Sequence, residues 1–245
     1  MLNKFLGFLL SLCLSQWAYS NTLVEATRAY DQGDYKTSIE IYEQWISEGL
    51  INGHTLYNLG NAYYRSGEKG KAMAALLGAR SLLPRDPDVK ANLEYVHKDL
   101  SDKLDYNEES SITQILTFWV SGTTPMEILQ VFTLLWGVGM LSLILCLVFK
   151  KLYVLRSFSY TSLALSLIFL LAFGVSVKTQ AKWGAVQSRI ASVRSGPSSS
   201  NILVFELHEG APFMVKDIQN GWYKIQLSDH KSGWIAKTEA LVYGI

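Results

Sequence analysis

Two stretches of the chain carry no Asp, Glu, Lys, Arg or His: Ile128 to Phe149, 22 residues, and Phe158 to Val177, 20 residues. At 1.5 Å of rise per residue the first reaches about 33 Å as a helix, against roughly 30 Å of bilayer hydrocarbon. Both predict membrane-spanning helices, over 128–149 and 158–177. The link 150–157 holds Lys150, Lys151 and Arg156, and cations at span ends are retained in the cytoplasm. A third apolar run, Phe5 to Ala18, follows Lys4 and ends in Ala18-Tyr19-Ser20. That is the layout of a secretory signal peptide over 1–20. The expected topology is therefore a short cytoplasmic loop, with 21–127 and 178–245 exported from a bacterial inner membrane into the periplasm. Gly137 and Gly139 are small enough to let helices approach closely.

Before the first span the hydrophobic spacing is helical and repeats every 34 residues. Tyr30 aligns with Tyr64, Gly33 with Gly67, Ser38 with Ala72, Asn58 with Asn92 and Leu59 with Leu93. The clearest copy runs Leu56-Tyr57-Asn58-Leu59-Gly60, Tyr63-Tyr64, Gly67, Ala72, Ala79, Pro84. Gly60, Ala72 and Ala79 allow two antiparallel helices to cross closely, Gly67 permits the turn, and Pro84 stops the second helix. The pattern resembles the tetratricopeptide family over 21–104, with a degenerate first copy (Ser38 and Trp45 at small positions) and a capping helix from Asp88. The resemblance implies an all-α repeat domain whose first helices line a groove for extended peptides. By position that groove offers Tyr57, Asn61, Tyr64 and Arg65, with Tyr30, Tyr95 and Lys98 beside them. Several tyrosines could equally pack between repeats.

After the second span the spacing changes to alternation. Strands are expected at Gln187–Arg194, Ile202–Leu207, Pro212–Gln219, Trp222–Ser228 and Ser232–Ala236, with Asn220-Gly221 as a hairpin turn. Val193-Arg194-Ser195-Gly196-Pro197-Ser198, Gly210, Gly221-Trp222-Tyr223-Lys224-Ile225 and Gly233-Trp234-Ile235 resemble the bacterial SH3 family. This implies an all-β SH3-like barrel over 184–245 that binds peptides or cell-wall components. Alternation puts Tyr223, Ile225 and Leu227 on one face and Trp222, Lys224 and Gln226 on the other. Trp222, Trp234 and Arg194 are the candidate groove residues. Arg194 has two readings left open, pairing with an acidic ligand or bracing the Gly196-Pro197 loop. Residues 105–127 and 178–183 are left as tethers, and Ile112–Val120 within the first is expected to lie on the bilayer surface.

Charge adds an exclusion. Residues 21–104 carry ten basic and twelve acidic groups, and 178–245 eight and five, too balanced for a nucleic-acid partner. The two cysteines, Cys13 and Cys146, both lie in apolar runs. None of His54, His97, His208 and His230 stands at ligand spacing from another His or Cys. No catalytic residue, metal or cofactor is expected. The expected fold class is thus a multidomain membrane protein: an all-α tetratricopeptide repeat domain, a two-helix transmembrane hairpin and an all-β SH3-like barrel.

Signal peptide, repeats, basic-looped hairpin and C-terminal SH3 barrel, in that order, resemble the BatE-type proteins of the Bat aerotolerance system. The resemblance implies an accessory scaffold beside membrane-anchored von Willebrand A-type proteins and a MoxR-type ATPase, in oxidative or envelope stress. Peptidoglycan is the alternative partner, held by the SH3 barrel as an envelope sensor or anchor.

Overall fold

A computed structural model describes residues 23–106, 122–149 and 153–244. The expected signal peptide, the stretch Ile112–Val120 and the Lys150-Lys151 pair lie outside the described residues. The chain divides into two compact units, one formed by the part up to Tyr106 together with the part from Lys182 onward, the other by the part between.

The first unit begins with five helices. α1 covers residues 23–31; α2 is Tyr35–Ser47, α3 Gly53–Ser66, α4 Lys69–Leu82 and α5 Pro87–Lys98. Local chemistry sets their ends. Asp34 accepts from the Thr37 amide, Asn52 from Thr55, and Asp86 from Asp88 and Val89, with Pro87 opening α5. These are N-caps that satisfy amides the helix itself leaves unpaired. Gly67 closes α3 at φ 90°, a left-handed conformation that costs glycine little. Where α3 crosses α4, a Cβ on Gly60 would lie 2.8 Å from Leu76, so the glycine sets the helix separation. Ala26, Ile39, Tyr42, Leu59, Ala62, Tyr63, Ala72 and Ala75 make the core between α1, α2, α3 and α4.

α4 differs from its neighbours. Every residue from Ala72 to Ala79 is buried, and so is Gly70. A helix buried all round needs partners on both sides, and the second partner is the sheet. This sheet has seven antiparallel strands in the order β3-β2-β6-β5-β4-β1-β7. They are β1 Lys182–Val186, β2 Ile190–Arg194, β3 Leu203–His208, β4 Pro212–Gln219, β5 Trp222–Gln226, β6 Ser232–Ala236 and β7 Ala240–Val242, with a 3-10 turn Lys237–Glu239 before the last. Val186, Val193, Phe213, Ile225 and Ile235 are fully buried in its core.

β1 and β7 pack against α4. A Cβ on Gly70 would collide with the Val186 carbonyl oxygen, and one on Gly78 would lie 2.9 Å from Tyr243. The Gly70 amide donates to Glu209 Oε1 at 3.0 Å. His208 donates its amide to Asp102 Oδ2 at 2.7 Å, with its ring Nδ1 3.0 Å from Oδ1. Leu100 fills the space over Gly210. The helices and the sheet are therefore one packed body rather than two modules joined through tethers.

Two expectations need correction. The expected tether 178–183 is mostly structured: the second apolar helix runs to Thr179 and β1 starts at Lys182, leaving Gln180 and Ala181 between them. β1 escaped the sequence reading because Trp183 to Val186 are buried on both faces, so the strand shows no alternation. The expected strands at 187–194, 202–207 and 222–228 are shorter or shifted, as β2, β3 and β5.

In the second unit, helices Pro125–Val148 and Leu155–Thr179 are long and apolar enough to cross a membrane. They overrun the expected 128–149 and 158–177 because their ends are polar. A capping box, Thr124 with Glu127, starts the first helix, and Lys178 lies in the last turn of the second. Ser142 and Ser159 share a hydrogen bond at 2.8 Å, Ser162 donates to the Leu135 carbonyl at 2.8 Å, and a Cβ on Gly139 would lie 2.9 Å from Leu163. The small and hydroxylated residues thus form the seam inside the hairpin. Gly139 belongs to that seam, whereas Gly137 faces open space.

Candidate functional site

The expected groove residues on the helical stack all lie on α3, and their bonding partners come from α5 and α2. Asn92 on α5 bonds two of them. Its Nδ2 donates to the Tyr57 hydroxyl at 3.1 Å and to Asn61 Oδ1 at 2.7 Å. Each of these oxygens on α3 thereby accepts one bond, and the two side chains also carry donors, the Tyr57 O–H and the Asn61 NH2. Asn61 also lines a shallow pocket with Thr27, Tyr30, Tyr42 and Asn58.

Further along α3, Arg65 is exposed and reaches back to α2. Its Nε donates to the Tyr35 hydroxyl at 3.0 Å and its guanidinium stands 5.5 Å from that ring's centroid. Tyr35 in turn meets Tyr30 edge-on at 5.4 Å. Tyr64 meets Tyr95 edge-on at 5.4 Å and donates to Asp99 Oδ2 at 3.2 Å. Desolvation, then the Asp99 charge, pushes the Tyr64 hydroxyl up to about 12. Asp99 itself is held below the ordinary carboxylate value, chiefly by its bond from Lys69, 2.8 Å away. The four expected groove residues Tyr57, Asn61, Tyr64 and Arg65 thus all lie on α3, each tied to a neighbouring helix. Sequence reasoning missed Asn92 and Tyr35. The alignment of Asn58 with Asn92 held the signal for the first, since it puts carboxamides at matching positions of successive helices.

On the sheet, register settles which side chains are neighbours. Asp217 on β4, Lys224 on β5, Trp234 on β6, Arg194 on β2 and Leu203 on β3 stand opposite one another strand by strand. Opposed residues share a face, so this row crosses five strands on the outer side. Trp222 is two residues from Lys224 on the same face, paired with Gln219 and Ala236. Ile225 and Leu227 are buried and Tyr223 packs on the core from the other face, the alternation expected for β5. Arg194 Nη1 donates to the Asn201 carbonyl at 2.8 Å. That bond braces the loop after β2. Lys237 stands over the Tyr223 ring at 5.1 Å.

Residues 191–239 match the bacterial SH3 domain family. The match starts one residue into β2 and ends with the 3-10 turn, so β1 and β7, the two strands against α4, lie outside it. No curated protein matches the chain. The outer face of this SH3 domain carries two half-exposed tryptophans, Trp234 between Lys224 and Arg194 and Trp222 two residues from Lys224, and the added strands join the domain to the helices.

Proposed function

We propose that this protein is a membrane-anchored adaptor that captures extended polypeptides in the α1–α3–α5 groove and presents them beside an SH3 domain, without catalysing a reaction. The helices are read as tetratricopeptide repeats, supported by the 34-residue spacing, the Gly60 crossing and the Gly67 turn. The observation that carries the reading is the polar face of α3: Asn92 bonds the Tyr57 and Asn61 oxygens, and their O–H and N–H donors stand on the same helix as the Arg65 cation. Such a surface fits the carbonyl and carboxylate oxygens of an extended peptide.

Packing supports the proposed topology. Helices and SH3 domain touch along α4, so both belong on one side of a membrane crossed by the two apolar helices, and the Lys150, Lys151, Arg156 loop favours the periplasmic side. The layout supports a role like that of BatE-type proteins, as accessory to membrane-anchored von Willebrand A-type partners in envelope or oxidative stress. A photocrosslinker at Arg65 in intact cells tests the groove. Capture of a polypeptide that is lost on Asn92→Ala supports the reading; labelling of lipid or nothing overturns it.

A second reading rests on the Trp222, Lys224, Trp234 face, which has the aromatic and cationic character suited to peptidoglycan stem peptides. Retention of the detergent-solubilised protein on purified cell wall, reduced by Trp222→Ala, is its expected signature. Equal retention of both proteins, or none, removes it.

A further inference from the structure

The pocket at Asn61 joins three helices of the first unit. Its volume is about 50 Å³, and its walls are Thr27 and Tyr30 from α1, Tyr42 from α2, and Asn58 and Asn61 from α3. Tyr42 is the most buried of the five, a core residue only 1% exposed. Its hydroxyl nevertheless makes no hydrogen bond to any of the described residues, and the same holds for the Tyr30 hydroxyl and the Asn58 carboxamide. A phenol this deep in a core normally has a partner, because an unpaired buried O–H has given up its bond to water for nothing. Tyr42 can gain one only from a group that enters the pocket.

The other two walls are partly engaged. The Thr27 hydroxyl donates to the Leu23 carbonyl at 3.0 Å and keeps its lone pairs, while Asn61 Oδ1 accepts from Asn92 at 2.7 Å and its NH2 still donates. Asn58 and Asn61 are three apart on a helix and so share a face. Arg65, one turn beyond Asn61, is not one of the walls and turns its Nε to the Tyr35 hydroxyl at 3.0 Å.

This chemistry selects what can enter. None of the five walls is charged, so a carboxylate or ammonium would leave water without a counter-ion among them. An aliphatic group would cover the Tyr42 hydroxyl and the Asn58 carboxamide without bonding either. A ring needs more room than about two waters' share of space. A carboxamide is small and uncharged, and it both donates and accepts, as the hydroxyls and asparagines around it do.

We propose that this pocket takes the side-chain carboxamide of a Gln or Asn in the captured polypeptide, bonded by the Tyr42 hydroxyl and the Asn58 carboxamide. The proposal rests on the reading of the helical stack as a peptide groove, and adds to it a preference for one residue type where the peptide passes α3.

The test uses the full chain in detergent and labelled peptides of serine and aspartate whose central residue is Gln, Glu, Met or Ser, with binding read by fluorescence anisotropy. The Gln peptide is expected to bind about tenfold more tightly than each of the other three. Tyr42→Phe removes a hydroxyl to which no described residue bonds. It should therefore leave the melting temperature unchanged and cut the Gln preference to about twofold, with binding of the Ser peptide unaltered. Asn58→Ala, at a half-buried position, should have the same effect on binding. Equal binding of all four peptides, or a Gln preference untouched by both substitutions, refutes the carboxamide site and leaves the groove standing. Tightest binding of the Glu peptide overturns it as well, making the pocket a carboxylate site. If none of the four binds, the groove reading fails, and this inference with it.

Discussion

α3 and α4 are consecutive helices of 14 residues each, and they solve opposite problems. α3 carries its own caps, Asn52 and Gly67, and keeps one face of tyrosine, asparagine and arginine in reach of solvent. α4 has no side-chain cap of its own, shows a run of small and apolar residues, and is buried from Ala72 to Ala79. Its N-terminal amide is satisfied by Glu209 of the SH3 domain. The second helix is built to be covered; the first, on the proposed reading, meets a ligand. An SH3 domain seated on α4 leaves the groove of α3 open, and it also makes truncation of residues 184–245 a poor test of either surface, since it would strip α4 bare.

The hardest way to break this arrangement is Gly70→Val. The added Cβ meets the Val186 carbonyl and the Gln187 Cα, both backbone, so no flexible side chain can give way. A loss of roughly 3 kcal/mol is expected, seen as one thermal transition of the detergent-solubilised chain splitting into two. A single transition at the original temperature would mean that α4 and the sheet are not packed as described.

Second in size is the behaviour of Tyr243, which follows β7 and lies against Gly78. Burial pushes its hydroxyl up to about 12 from an ordinary 10.0, and it shares hydrogen bonding with Tyr63, itself raised by burial and bonded to Glu43. A raised tyrosine favours the folded state while both states are protonated. Its contribution is whole below pH 10 and is lost as pH climbs towards 12, because the unfolded chain ionises first. The slope amounts to roughly 2 kcal/mol across that window. Melting temperatures between pH 9 and 12 should therefore fall more steeply in the native protein than in Tyr243→Phe; parallel curves would remove Tyr243 from the joint.

A third change, Glu209→Gln, keeps an acceptor for the Gly70 amide but removes a negative charge from the start of α4. About 0.5 to 1 kcal/mol should go, and 1 M salt should shrink the difference between the two proteins. If salt leaves it untouched, the contact is only a neutral hydrogen bond.

Sequence pattern alone located most of these elements, and for a common reason. The apolar spans, the 34-residue repeat and the alternation around Trp222 are periodic, and periodicity survives without tertiary context. What it missed had no period. β1 is buried on both faces, β7 has three residues, and α4's second covering lies more than a hundred residues away in the chain. The run Gly70–Ala79, polar only at Lys71 and Arg-free, was nonetheless a readable sign that one helix faced two partners. Position alone put Tyr57, Asn61, Tyr64 and Arg65 on one helix, α3. It did not find their partners Asn92 and Tyr35, because a hydrogen bond between helices depends on how far apart the helices stand.

The smallest stability effect belongs to Arg65, and it separates the two helices most sharply. The side chain is exposed and its contacts, the Tyr35 hydroxyl and ring, lie at the surface. Arg65→Ala should shift stability by no more than about 0.5 kcal/mol. On the proposed reading, however, the guanidinium has N–H groups left for a carboxylate or carbonyl of the peptide, and such a bond is charge-assisted. Its loss should cut capture of an acidic extended peptide roughly tenfold. Arg65→Lys should restore only part of that, since an ammonium keeps the charge without the planar fork. Fluorescence anisotropy with a labelled peptide library, run beside a melting curve for each variant, reads both quantities at once. An Arg65→Ala protein that melts earlier and binds as before would reverse the assignment, making α3, like α4, a helix that serves the fold.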